Sequence, residues 1–360
     1  MYSFNNDYSE GAHPQIMQEL FATNEEQTAG YSLDPHTERA IALIKERMDC
    51  EEADVHILTG GTQVNLTAIA SFLRPHHAVI AADSGHIAVH ETGAIEATGH
   101  KVLTAPTMDG KLTTELVHKI VMYHTDEHMV KPKMVYISNP TEVGTMYSKG
   151  EIEQLYSYCK EHKLYLYIDG ARLASALTAE DNTMYLVDYP KCCDAFYIGG
   201  TKCGALMGEA LVIVKEELKE DFRYYIKQKG GLLAKGRILG IQFEVLFRDG
   251  LYFELGEHSN KMARELREGI SALGYVFMYD TNTNQLFPVF PKEVIEELEK
   301  EFVFSIWEEV NERASVVRLV TSWATKEKMV DAFLIKLADI TEVRNEEMKC
   351  DLDEVLESAE

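Results

Sequence analysis

The stretch Leu164-Tyr-Leu-Tyr-Ile-Asp-Gly-Ala-Arg172 decides how the rest of this chain is read. An apolar run that stops at an acid and a glycine is the pattern of a buried strand ending at the edge of a sheet. Further along, residues 195–200 form a second apolar run, and it stops at Thr201-Lys202. Neighbouring strands of this kind place a carboxylate, Asp169, and an amine, Lys202, at one sheet edge. A heteroaromatic ring between them would meet the acid at a ring nitrogen and the amine at an aldehyde. Pyridoxal 5'-phosphate (PLP) requires that pair, a lysine for a Schiff base and an acid that keeps the pyridinium charged.

Working outward, apolar runs alternate with amphipathic ones. Strands are expected over 55–58, 77–82, 101–105, 133–138, 164–168, 195–198 and 209–214, and helices over 62–72, 90–97 and 149–162. This alternation predicts an α/β fold: a mostly parallel sheet covered by helices, with ligands at the carboxyl ends of the strands. The second part is more helical, with one long helix over 251–273 ended by Gly274. Shorter segments follow at 284–290, 292–300, 316–320 and 326–337, together a smaller C-terminal α+β domain. The expected organisation is an N-terminal arm over 1–30, a PLP-binding large domain over 31–250, a small domain over 251–345, and an acidic tail over 346–360 that frays.

Composition narrows the function. The 360 residues are 46% hydrophobic and 26% charged, ordinary for a globular protein with a sizeable core. A net charge of -24 argues against nucleic acid, which wants a basic face. The six cysteines include no Cys-x-x-Cys pair, and adjacent Cys192-Cys193 make a poor disulfide, so free thiols in a reducing compartment are expected. No metal site is expected. The start, Met1-Tyr-Ser-Phe-Asn-Asn-Asp7, lacks a signal-peptide core, and no apolar stretch reaches the roughly 18 residues of a membrane helix, so the expectation is a cytoplasmic protein.

Other candidates gather around the pair. Gly60-Gly61-Thr62 follows a strand and opens a helix, so its backbone amides form a phosphate cradle, although a plain glycine turn reads the same way. His86, in Asp83-Ser-Gly-His86, lies just past a strand; an imidazole there stacks on a ring or moves protons, and a loop histidine without a role also fits. Arg172 stands three residues after Asp169 and can turn back to the same pocket. Arg318 lies in an apolar strand, where its charge is costly unless it meets an anion: a substrate carboxylate or an internal acid. Lys227, Lys229, Lys235 and Arg237 surround Gly230-Gly231 as the one basic segment, read either as a phosphate contact or as a solvated loop.

At these residues the chain resembles the low-specificity L-threonine aldolases, PLP enzymes of fold type I within the aldolase and β-eliminating-lyase group. The motifs are Thr59-Gly-Gly-Thr-Gln-Val-Asn65, Gly85-His-Ile-Ala-Val-His-Glu91, Tyr167-Ile-Asp-Gly-Ala-Arg172, Gly200-Thr-Lys202 and Val317-Arg-Leu-Val-Thr321. The resemblance runs from about residue 4 to 337, and looks strongest to a branch that begins Asn6-Asp-Tyr-Ser-Glu-Gly-Ala-His-Pro14.

The resemblance implies that Lys202 forms the Schiff base, with Thr201 beside it, and that Asp169 partners the ring nitrogen. It also implies that His86 stacks on the ring and that Gly61 and Thr62 hold the phosphate. Arg172 and Arg318 would bind the substrate carboxylate. A homodimer or homotetramer with shared active sites is implied, Tyr31 approaching the neighbouring subunit. Three positions depart from the family. Asn6 stands where many relatives have a serine, Glu142 where others have a histidine near the substrate hydroxyl, and Lys235 where a glycine-rich turn carries arginine. The base that takes the hydroxyl proton is therefore left open between His86, Glu142 and a water between them. The implied reaction is cleavage of L-threonine or L-allo-threonine to glycine and acetaldehyde; a PLP lyase acting on another β-hydroxy or β-substituted amino acid is the alternative.

Overall fold

A computed structural model describes residues 1–357, with side chains described as far as Arg344. The acidic tail expected to fray, 346–360, lies outside the residues whose side chains are described. Contacts divide the chain into two compact units, Glu10–Glu257 and Met1–Ser9 together with His258–Glu360. Residues 1–30, expected as one arm, are thus shared between the units.

The larger unit is built on a seven-stranded sheet: β1 (Asp54–Leu58), β2 (His77–Ala82), β3 (Lys101–Ala105), β4 (Lys131–Ser138), β5 (Tyr165–Asp169), β6 (Ala195–Gly199) and β7 (Glu209–Ile213). Their order across the sheet is β1-β7-β6-β5-β4-β2-β3. Neighbours from β6 through β5, β4 and β2 to β3 run parallel, and β7 is antiparallel to both β6 and β1. Every residue of β5, β6 and β7 is buried, as expected of strands covered on both faces. One apolar cluster beneath the sheet joins Val64, Ile69, Tyr136, Tyr167, Tyr197 and Leu211.

Burying each such side chain contributes about 1.5–3 kcal/mol, and this load fixes register. Pairing of Tyr136 with Tyr167 and Ser138 with Asp169 puts four polar tips on one face, because alternate residues of a strand point the same way. Two glycines let β5 and β6 end so close together. A Cβ on Gly170 would lie 2.0 Å from the Tyr197 carbonyl oxygen, and one on Gly199 would lie 2.3 Å from that of Ala171.

The larger unit has several helices beyond those expected, including Pro14–Ala22, Pro35–Met48, Thr114–Tyr123 and Arg237–Arg248. The Pro35–Met48 helix has proline in its first turn and is capped by Asp34, whose side chain accepts from Thr37 N–H. The helix expected over 90–97 is corrected. A single turn, His86–Val89, ends at His90, and Thr92 and Gly93 then take positive φ values of 53° and 72°. Those conformations break the α ladder, and only a short 3₁₀ turn, Glu96–Thr98, follows.

The smaller unit has an antiparallel sheet in which Ala314–Val320 is central, paired with Val289–Pro291, Ser305–Asn311 and Gln285–Leu286. Its core includes Phe4, Leu266, Phe290, Val317 and Phe333. The helix expected over 326–337 begins at Glu327 and continues to Glu357.

Candidate active site

Asp169 ends β5, and Thr201-Lys202 comes one residue, Gly200, after β6, so parallel pairing of these two strands brings both to one sheet edge. The Asp169 side chain is buried and its orientation is fixed on both oxygens. Oδ2 accepts from the Tyr136 hydroxyl (2.5 Å) and Asn65 Nδ2 (3.1 Å), and Oδ1 accepts from Ala171 N–H (3.0 Å). Asn65 lies on the helix Gly61–Phe72, and its Oδ1 accepts from the Tyr167 hydroxyl (3.0 Å).

From Asp169 the network leads to the histidine and comes back as far as Ser138, beside Tyr136. Asn65 Nδ2 also donates to Glu91 Oε1 (2.7 Å), which takes His86 Nδ1 at 2.8 Å. The backbone N–H of His86 donates to Glu142 Oε1 (2.8 Å). That oxygen also accepts from Ser138 Oγ (2.6 Å), which lies 3.4 Å from the Tyr136 hydroxyl. With a carboxylate on Nδ1, the proton sits there and Nε2 is left to give or take one. Burial opposes charging of His86, but the Glu91 hydrogen bond and the Asp169 and Glu91 charges outweigh it. Against opposition from Lys202, its pKa is raised above the ordinary imidazole value. His86 therefore feels both members of the Asp169–Lys202 pair. Burial, aided by Asp169, also raises the Glu142 pKa, against the hydrogen bonds from Ser138 and His86.

If Glu91 sets the His86 proton, Glu91→Gln lowers the His86 pKa, because it removes a hydrogen-bonded charge that favours the imidazolium. Were His86 the base, the sign would follow: a base works deprotonated, so activity falls as pH drops below its pKa. The acid limb of a pH–rate profile is expected to move to lower pH in E91Q, and an unmoved limb would exclude this coupling.

The helix Gly61–Phe72 begins at Gly60 with no capping side chain, leaving its first amides for an anion. Gln63 organises the surroundings: Oε1 accepts from Thr59 Oγ1 (2.7 Å), and Nε2 donates to the Lys229 carbonyl (3.3 Å), which draws the Gly230-Gly231 loop alongside. Lys235 is exposed beyond this loop. Tyr31 is exposed too, with Lys227 Nζ 4.8 Å from its ring and Arg223 donating to its carbonyl. Arg172 precedes the short helix Leu173–Thr178, one turn past Asp169.

Two expected site residues belong to the smaller unit. Arg318 sits on its central strand with the guanidinium 5.6 Å from the Trp307 ring, and Asn6 Oδ1 accepts from Tyr8 N–H and Ser9 Oγ. Among the described residues no group of three or more metal-ligating side chains gathers, and no helix is long and apolar enough to cross a membrane.

Asn65, Glu91, Tyr136, Ser138 and Tyr167 are site residues that sequence reasoning did not assign. Asn65, Glu91 and Tyr167 stand inside quoted motifs, so their signal was present; Tyr136 and Ser138 read as ordinary residues of the strand expected over 133–138.

The donor set suits PLP: an uncapped helix start for a phosphate, a buried carboxylate with fixed orientation, and an amine at the end of the adjoining strand. Fold and site define a PLP-dependent lyase of fold type I. The Beta-eliminating lyase family model matches residues 7–292, and the chain belongs to that family. It is similar to the low specificity L-threonine aldolase of Pseudomonas aeruginosa, 31% identical over 300 residues that span 82% of this chain and 86% of that one. It is also similar to a solved structure of Leishmania major threonine aldolase, 50% identical with a TM-score of 0.94, covering 95% of this chain and all of that one. The aspartate aminotransferase of Thermus thermophilus shares the fold at 16% identity, with a TM-score of 0.70 over 94% of this chain and 91% of its own.

Proposed function

We propose that this chain is an aldolase that cleaves L-threonine and L-allo-threonine to glycine and acetaldehyde. Lys202 is the amine that links the cofactor, and Asp169 is the partner of its ring nitrogen. One observation carries the reading: Asp169 ends one strand and Lys202 follows the end of the adjoining parallel strand, at the same edge of the sheet. Bound PLP supplies the electron sink for cleavage of a Cα–Cβ bond.

The residues divide the remaining work. Asp169, oriented by Tyr136, Asn65 and Ala171, holds a proton on the ring nitrogen. The amides of Gly61 and Thr62 bind the phosphate, with the basic segment that includes Lys235 adding charge. Thr201, whose hydroxyl accepts from Gly208 N–H (3.0 Å), shapes the turn that presents Lys202. His86 Nε2 takes the substrate hydroxyl proton, since Nδ1 is held by Glu91. Glu142 holds the His86 turn through the backbone N–H rather than acting as the base itself. Arg172, Arg318 and Asn6 bind the substrate carboxylate, and Tyr31 approaches a second subunit; these roles are supported by the motifs alone.

The proposal includes a homodimer or homotetramer, supported by exposed Met17 and Phe21 on one helix. A cytoplasmic location is included on the strength of the five described cysteines being free.

The alternative, a lyase acting on another β-hydroxy or β-substituted amino acid, uses the same residues. Incubation with threonine is expected to release acetaldehyde, and incubation with serine or cysteine little pyruvate. Pyruvate as the main product would favour the alternative.

A further inference from the structure

Behind Lys202 stands a buried acid that the proposed reaction does not use. Glu209 begins β7, directly opposite Gly199 at the end of β6, and is only 5% exposed. Its Oε2 accepts from Gly200 N–H at 2.8 Å, and it is hydrogen-bonded to the Thr201 side chain. Both contacts fall on the two residues that immediately precede Lys202. Thr201 Oγ1 in turn accepts from Gly208 N–H, so Glu209 ties both sides of the 200–208 turn.

We propose that Glu209 is a positioning residue for Lys202: it fixes the Gly200–Thr201 backbone, and its carboxylate charge holds the Lys202 amine in the ammonium form until that amine is needed. The inference rests on the reading of Lys202 as the cofactor-linking amine.

The electrostatics agree with the geometry. Burial pushes the Glu209 carboxyl up to about 7, opposed by the Thr201 and Gly200 hydrogen bonds and by the Lys202 charge, while Asp169 pushes the same way as burial. The other titratable groups facing it are Tyr167, Tyr197 and Tyr252, phenols all held well above their usual range and therefore neutral. Lys202 is thus the only cation acting on Glu209 in this set, and the coupling is mutual: an acid that Lys202 helps to ionise raises the pKa of Lys202 in return.

The test uses E209Q, which keeps the shape and an acceptor for Gly200 N–H, removes the charge, and turns an N–H₂ donor in place of the second acceptor oxygen towards Thr201 Oγ1. Apoprotein is labelled with acetic anhydride across a pH series, and acetylation of Lys202 is followed by peptide mass spectrometry. The Lys202 midpoint is expected to fall by about one pH unit in E209Q, roughly a tenfold gain in labelling at a fixed pH below the midpoint. A merely structural role leaves the midpoint where it was.

Stability supplies a second readout. A carboxyl raised from 4.5 to about 7 keeps in the folded state a proton that the unfolded chain releases, so its contribution is lost as pH rises through that window. Wild-type Tm is expected to fall across it relative to E209Q. Should E209Q not fold, E209A is labelled instead; it too removes the charge, and the same fall in the midpoint is expected. A Lys202 midpoint equal to that of the wild type in the variant labelled overturns the proposal. Because labelling is read without cofactor, failure of PLP to bind contradicts the proposed function and not this inference.

Discussion

Asp169→Asn is expected to lower kcat on the order of 10³-fold while leaving Tm at or above the wild-type value. The catalytic loss follows from charge: a neutral amide no longer favours a proton on the ring nitrogen, and loss of one preorganised electrostatic group costs on this scale. The stability effect has the opposite sign because Asp169 stands among other acids. Its charge raises the Glu142 and Glu209 carboxyls, so removing it relieves like-charge repulsion at two buried sites. Asparagine keeps one acceptor, for Tyr136 and Asn65, and turns its N–H₂ towards Ala171 N–H, which offsets part of that gain. Alanine is the poorer probe, since it strands the Tyr136 and Asn65 donors at about 1–3 kcal/mol each. Steady-state kinetics beside a thermal melt separates the two effects, and a kcat within tenfold of the wild type would remove Asp169 from the mechanism.

Lys202→Ala is expected to abolish retention of PLP through gel filtration and to cost on the order of 10⁴-fold or more in turnover, the scale set by removing a covalent catalytic group. A second consequence is specific to this site. Lys202 holds down the Glu209 carboxyl, so without the ammonium that acid moves further up. The variant should then lose more stability than the wild type as pH rises from the ordinary carboxylate range to neutrality. A yellow K202A protein with unchanged turnover would place the chemistry on another lysine.

How much of this was legible in the sequence depends on the range of the interactions. A strand stopping at Asp169, another stopping before Lys202, and a glycine pair opening a helix are local patterns, and the sheet realises each at its strand end. The circuit of polar contacts from His86 through Glu91, Asn65, Asp169, Tyr136, Ser138 and Glu142 is not local. It closes only because register sets Ser138 beside Asp169 and Tyr136 beside Tyr167. Glu209 was hidden at the head of an apolar run that reads simply as a strand. The misplaced helix after His86 shows the converse: apolar spacing over 90–97 suits a helix, but Thr92 adopts a left-handed conformation. The helix Pro35–Met48 was missed although Asp34-Pro35 carries an ordinary start signal.

The central claim is that the Lys202 amine is the group that meets the cofactor. Borohydride reduction of the PLP-loaded protein, followed by peptide mapping, tests it most directly. A stable pyridoxyl group on the peptide that contains Lys202 is the predicted result. The same group on a different lysine, with Lys202 unmodified, would contradict the account.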